Sequence, residues 1–346
     1  MSISKIFEEA RRRIAVDDEV LEEARRRRDL IRSIVEEEFV TLRTFGSGSV
    51  AHGTQNKPLA DADLGAVPDR RMYSDLGPGS EGPEDIAEEV RKRLRARLKD
   101  DYPKARFYLG GRRAIKVTFN EPVGPGAEDF TADLIVAVTR DEGGLWIPNL
   151  KKNRWDPSDP EKHTELILDR NKGTGSVFAR ILRLAKHANA RRGQTICSFN
   201  VEALGLEAIE KKVSLPAGLA LLLRHAADSL ADGPTEDPAG VSGEIKVNDS
   251  RRDAARTFKE LAELAEEALK LETEGQTAQA QRNWSKVLPE AIDPPNDEDL
   301  RAELVAGHRD GNERVRRGVG GMVVSSKLGA SVPSARAFGD KEAQAR

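Results

Sequence analysis

Gly48-Ser49-Val50-Ala51-His52-Gly53-Thr54, followed shortly by Asp61-Ala62-Asp63, is the stretch on which the reading of this chain turns. Upstream, Val40-Thr41-Leu42-Arg43-Thr44-Phe45 is β-branched and alternating, which predicts a strand that Gly46-Ser47-Gly48-Ser49 breaks. A second strand is predicted over Asp61–Val67. Residues two apart in a strand share a face, so Asp61 and Asp63 present paired carboxylates. Like charges that close need a cation or a shared proton, and magnesium suits hard carboxylate oxygens together with phosphates. Alone, such a pair also fits a solvated strand end. The preceding glycine turn changes the balance. Glycine lets an anion approach the backbone, a helix start offers free N–H groups, and a serine hydroxyl adds a donor. Gly53 is placed to end the short helix. Gly46-Ser47 duplicates the pattern, and Ser49 is the favoured phosphate ligand.

A third carboxylate belongs with these. Asp133 interrupts the apolar run Phe130–Val138, and a lone acid in a buried strand is costly without a partner. If its strand neighbours the one bearing Asp61 and Asp63, three carboxylates converge, enough for two metal ions to clamp a phosphoryl transfer.

Outward from this centre, residues 5–39 read as helix with a break near Val16-Asp17-Asp18, and the arginines from Arg25 to Arg28 are expected largely on the exposed side. An amphipathic helix over 84–99 and strands over 105–109 and 114–120 follow. Phe130–Thr139 carries the last strong strand signal. From about Pro160 the pattern is helical, over roughly 163–172, 175–191, 198–211, 216–231, 250–274 and 277–288. Strands among helices and then helices alone predict an α+β chain, with residues 1–159 as one lobe and 160–302 as a helical lobe. Residues 303–346, with Gly318, Gly320, Gly321 and Pro333, read as a flexible tail.

Composition sets outer limits. With 346 residues and 38% apolar content the chain can bury a sizeable core, and a net charge of −3 excludes a globally basic nucleic-acid binder. No apolar run approaches a membrane span, Met1–Arg13 carries no signal peptide, and one cysteine, Cys197, permits no internal disulfide. A cytoplasmic location is expected. The histidines His163, His187, His225 and His308 lack metal-ligand spacing. Trp155 and Phe199 are expected in core packing, and the arginines over 91–97 on a solvated face.

The motif Gly48–Thr54, then Asp61-Ala62-Asp63-Leu64 and the later Asp133 in Ala132–Val138, resembles the nucleotidyltransferase signature of the DNA polymerase beta superfamily. Leu145–Asn149, Trp155–Pro160, Ile181–Lys186, Ser198–Glu202 and Trp284 are similar to segments of bacterial cyclic GMP-AMP synthase-like enzymes of anti-phage (CBASS) systems. The resemblance covers residues 5–290. It implies a polymerase-beta-like lobe and a helical lobe with the active site in the cleft between them. It also implies synthesis of a cyclic di- or oligonucleotide signal from nucleoside triphosphates. Asp61 and Asp63 would hold two magnesium ions, with manganese as a substitute. Asp133 would hold the catalytic one and help activate a 3′-hydroxyl. Gly48 and Ser49 would hold the donor triphosphate, with Lys186 and Ser198 reaching it from the helical lobe. Lys186 also fits a solvated helix position, and Ser198 a helix N-cap with Glu202 nearby. The implied partners are nucleoside triphosphates, regulatory proteins and a downstream effector of the product, with no membrane and no obligatory nucleic acid. His52, Ala62, Ile135-Val136-Ala137 and Asn200 depart from the pattern in the family without removing a carboxylate. Two alternatives stay open: an acceptor-dependent transferase acting on RNA, protein or a small molecule, and an inactive nucleotide-binding module.

Overall fold

Strict alternation of small or branched apolar residues with polar ones builds the sheet on which the site rests. A computed structural model describes residues 2–80, 82–124 and 128–305. Strands β1 (Thr41–Ser47), β2 (Asp61–Pro68), β3 (Arg106–Tyr108), β4 (Ile115–Thr118) and β5 (Thr131–Val136) form a five-stranded sheet in the order β1-β2-β5-β4-β3. Only β2 and β5 run parallel; the other neighbours are antiparallel. Along both central strands Ala62, Leu64, Ala132, Leu134 and Val136 are buried, while Asp61, Asp63, Thr131, Asp133 and Ile135 are partly exposed on the opposite face. One face therefore feeds a core and the other faces a cleft.

That core is closed by two helices, α2 (Asp18–Glu38) and, counting the intervening short α3 (Gly48–His52), α4 (Pro83–Leu98). Ile31, Ile34 and Val35 of α2 and Val90, Leu94 and Leu98 of α4 pack with Ile115, Val117 and Leu134. The arginines over 91–97 are exposed or half-buried, as expected, and three of them are ion-paired: Arg91 with Glu88, Arg93 with Glu89 and Arg97 with Glu37 and Glu38. Arg27 corrects the expectation of an exposed arginine block. It is 3% exposed, bonded to Glu23 and Asp129, with its guanidinium over the Phe119 and Phe130 rings. Paired carboxylates and aromatic faces together make that burial tolerable.

A second sheet joins β6 (Val138–Thr139), β7 (Leu145–Asn149) and β8 (Arg154–Ser158), a hairpin that the sequence did not predict. Trp155 is buried in the sheet core, as expected. Beyond it lie α5 (Pro160–Gly173), α6 (Val177–Ala190), α7 (Ser198–Ala208), α8 (Leu215–Asp232), α9 (Arg251–Thr273) and α10 (Thr277–Val287). Their apolar faces form a separate core with Phe178, Leu182, Leu219, Phe258 and Trp284. Helix α1 (Ile3–Arg13) packs here through Ile3, Ile6, Phe7 and Ala10, with Phe7 edge-on to Trp284 at 4.8 Å between ring centroids.

By its contacts the chain divides into Met1–Asn296 and Asp297–Arg346. In the second unit residues 297–305 are helical. Most of the expected tail, together with His308, lies outside the described residues. Within them, no helix is long and apolar enough to cross a membrane.

Candidate active site

Register brings the three carboxylates together. Parallel pairing of β2 with β5 sets Asp61 opposite Thr131 and Asp63 opposite Asp133. One oxygen from each of Asp61, Asp63 and Asp133 lies within 4.8 Å of the others, the one such group of His, Cys, Asp and Glu side chains among the described residues. The Thr131 hydroxyl donates to Asp133 Oδ1 at 3.1 Å. On the antiparallel side Lys116 pairs with Asp133, its Nζ 3.8 Å from Asp133 Oδ2.

Burial and mutual repulsion dominate the electrostatics. The Asp63 carboxyl is held well above the usual range, first by burial and then by Asp61 and Asp133; Lys116 opposes this. Burial also raises Asp61 and Asp133, again against Lys116. One ammonium does not neutralise three acids, so the group could hold a further cation.

The glycine turn interlocks with this cluster. Ser47 at the end of β1 pairs with Asp63, and Gly48, the first residue of α3, takes φ +68°. A Cβ on Gly48 would stand 1.7 Å from Asp63 Oδ2, so only glycine permits both the turn and the carboxylate. Gly53, at φ +69°, closes α3, and the Thr54 N–H donates to the Ser49 carbonyl at 2.9 Å. Gly48 and Ser49 line a cleft of about 750 Å³, together with Asp61 and Asp63. That volume falls within the range of small-molecule sites.

The opposite wall comes from the helices. Lys186 and Ser198 both line this cleft, with Ser198 exposed as the first residue of α7 and Cys197, not Ser198, at the N-cap position. Lys186 is not a solvated surface residue. Its Nζ donates to Glu202 Oε1 at 2.7 Å, Thr54 Oγ1 at 2.8 Å and the Thr54 carbonyl at 3.4 Å. Glu202 also accepts from the Thr54 hydroxyl at 2.5 Å and from His52 Nδ1 at 2.9 Å. His52 Nε2 meets Thr164 Oγ1 at 3.0 Å. Burial pushes the Glu202 carboxyl up, but Lys186 and His52 outweigh it and hold the group well below its usual range.

Of the other wall residues, Arg113 was not singled out by sequence. Arg113 lines the cleft and is anchored to Asp156 at 2.8 Å. Phe199 is half-buried on the cleft wall rather than in the core, its ring 4.6 Å from that of His163. Asp237 in turn holds His163 Nε2 at 2.5 Å. His187 is a satisfied histidine, its Nε2 donating to the Pro289 carbonyl at 2.8 Å.

With this geometry in place the comparisons are informative. The family model of the Second Messenger Oligonucleotide or Dinucleotide Synthetase domain matches residues 1–171, which contain the turn and all three carboxylates. Over residues 1–171 the chain is similar to a second-messenger synthetase domain. The chain is thus an enzyme of the nucleotidyltransferase class. Sequence comparison with curated proteins gives no match. Among solved structures, the chain is similar to E. coli MS115-1 CdnC with ATP, at 15% identity and a TM-score of 0.62, covering 85% of this chain and 99% of that one. The same CdnC is also known in a CdnC:HORMA-deltaN complex. Bradyrhizobium diazoefficiens CD-NTase CdnG in complex with GTP aligns at 14% identity and TM-score 0.58, covering 82% and 98%. The Vibrio cholerae di-nucleotide cyclase DncV aligns at 14% identity and TM-score 0.55, covering 86% and 88%. At such identities the likeness speaks for the fold. The residues matched by the family model share the polymerase-beta-like architecture of those structures, and the likeness extends beyond them into the helices.

Proposed function

We propose that this enzyme joins nucleoside triphosphates into a cyclic di- or oligonucleotide signal, releasing pyrophosphate, in the cleft between a catalytic lobe (residues 1–159) and a helical lobe (160–302). The observation that carries this reading is the convergence of Asp61, Asp63 and Asp133 beside the Gly48-Ser49 turn.

The donor set fits magnesium: three hard carboxylates, crowded and insufficiently neutralised by Lys116. Asp61 and Asp63 would hold two ions and Asp133 the catalytic one, and manganese has the same preference for oxygen ligands. Bound there, the ions neutralise charge on the transferring phosphoryl group and on the leaving pyrophosphate. The protein does the positioning. The Gly48 and Ser49 N–H groups and the Ser49 hydroxyl grip the donor triphosphate from one wall, and Lys186 and Ser198 reach it from the other. The acceptor's 3′-oxygen forms a bond to the α-phosphorus as the bond to the β-phosphate bridge breaks. Asp133, steadied by the Thr131 hydroxyl, would help activate the attacking 3′-hydroxyl.

The resemblance to cyclic GMP-AMP synthase-like enzymes of anti-phage systems supports a cyclic product, a defence role and a cytoplasmic location, and the similar Vibrio cholerae protein is a di-nucleotide cyclase. The CdnC:HORMA-deltaN complex supports a regulatory protein partner here, and a signal molecule requires an effector that reads it.

The deciding experiment incubates the protein with all four labelled ribonucleoside triphosphates and magnesium or manganese, then adds phosphatase. A phosphatase-resistant oligonucleotide that disappears in Asp61→Ala is expected, and omitting each nucleotide in turn identifies the bases. Pyrophosphate release that requires cell extract would point to an acceptor-dependent transferase. Wild-type rates in an Asp61→Ala/Asp63→Ala double variant would remove the assignment.

A further inference from the structure

Lys186 has no proton to spare. An ammonium has three N–H donors, and here all three are taken, by Glu202 Oε1, Thr54 Oγ1 and the Thr54 carbonyl. Its side chain is 9% exposed and that of Glu202 5% exposed. Yet Lys186, Glu202, Thr54 and Ser49 all line the same cleft. A triphosphate arriving there meets a cation already bound to an anion of the protein.

Glu202 differs from Lys186 in how it would fare after a separation. Its Oε2 faces His52, whose Nδ1 must carry the proton because an ionised carboxylate only accepts. Its Oε1 also receives the Thr54 hydroxyl. His52 is braced by Thr164 of α5, which in turn reaches the Gly46 and Pro160 carbonyls. Without Lys186 the carboxylate keeps two hydrogen bonds in a fixed frame. The lysine is the mobile partner of the pair, at the end of four methylene groups.

We propose that Glu202 is a positioning residue that competes with the incoming nucleotide for Lys186. In the empty cleft its carboxylate stands where phosphate charge will act, keeping Lys186 folded against Thr54. Binding transfers the ammonium from carboxylate to phosphate. This rests on the nucleotidyltransferase reading of the site and adds a selection rule to it. A ligand must present enough negative charge to draw Lys186 off Glu202, so triphosphates are favoured over monophosphates by an internal competitor as well as by direct contacts.

The test is equilibrium binding of non-hydrolysable α,β-methylene analogues of the four nucleoside triphosphates, with magnesium, by calorimetry. Glu202→Gln keeps the shape and the acceptor for Lys186 but removes the charge. A charge-assisted hydrogen bond weakened in this way predicts about tenfold tighter binding of the analogue. The gain must vanish in Glu202→Gln/Lys186→Met, which should bind like Lys186→Met alone. A purely structural role predicts the opposite sign, weaker binding with a lowered melting temperature. Unchanged or weaker binding in folded Glu202→Gln would overturn the proposal. A wild-type protein that binds none of the four analogues would remove the nucleotidyltransferase reading itself.

Discussion

Asp63 concentrates the chemistry of the site at the scale of one residue. Its carboxyl is raised by burial and by two acidic neighbours, so the folded protein binds that proton more tightly than the unfolded chain does. The linked stability is present below the unfolded pKa and is lost as pH rises through the higher folded value. Metal-free protein should therefore lose melting temperature as pH climbs above the ordinary carboxylate range. Asp63→Asn should flatten that slope, and magnesium should restore stability to the wild type but not to the variant. Scanning calorimetry across pH with and without magnesium checks this; a slope identical in both proteins would contradict it. Asp61 and Asp63 are legible because a strand repeats every two residues, and Asp133 because an acid inside an apolar run needs a reason. Lys116, Thr54 and Glu202 are not legible. Lys116 reaches Asp133 through cross-strand register, and Glu202 meets Thr54 across 148 positions of chain. Nothing local in the sequence encodes either meeting.

At the scale of elements, periodicity recovers nearly every helix and the strands of the larger sheet, within a few residues at their ends. The hairpin β7–β8 escapes because each strand contains a proline, Pro148 and Pro157, which ordinarily argues against a strand. The pairing explains the tolerance. β6 pairs only with Leu145 and Trp146, so Pro148 has a strand neighbour on one side alone, and β8 is an edge strand. For α1 the amphipathic pattern shows that a face is buried but not against what. The structure answers with Trp284, fully buried and edge-on to Phe7. The indole Nε1 has no hydrogen-bond partner among the described residues, and the ring contributes through packing. Trp284→Ala should cost about 3–5 kcal/mol, measured by denaturant unfolding. Trp284→Phe should recover much of that loss, and a near-neutral alanine variant would mean that α1 is not held there.

For the molecule as a whole, every residue assigned to the site and every member of the apolar cores falls within Met1–Asn296. Ending the chain after residue 302 should leave nucleotide binding and product formation in vitro within about twofold of the full chain, a difference too small to signal a lost contact. A collapse of activity in the shortened protein would place a needed group beyond that point. The two large cores have a bearing on motion. Sheet and helices bury their hydrocarbon in separate clusters, while His52, Thr54, Thr164, Lys186 and Glu202 tie them with hydrogen bonds. Such a joint can part by exchanging each of those bonds for one with solvent, without opening the interior of either large core. Breathing wide enough to admit a substrate or let a product leave would then carry little risk of sticking to a neighbouring molecule, even in a crowded solution.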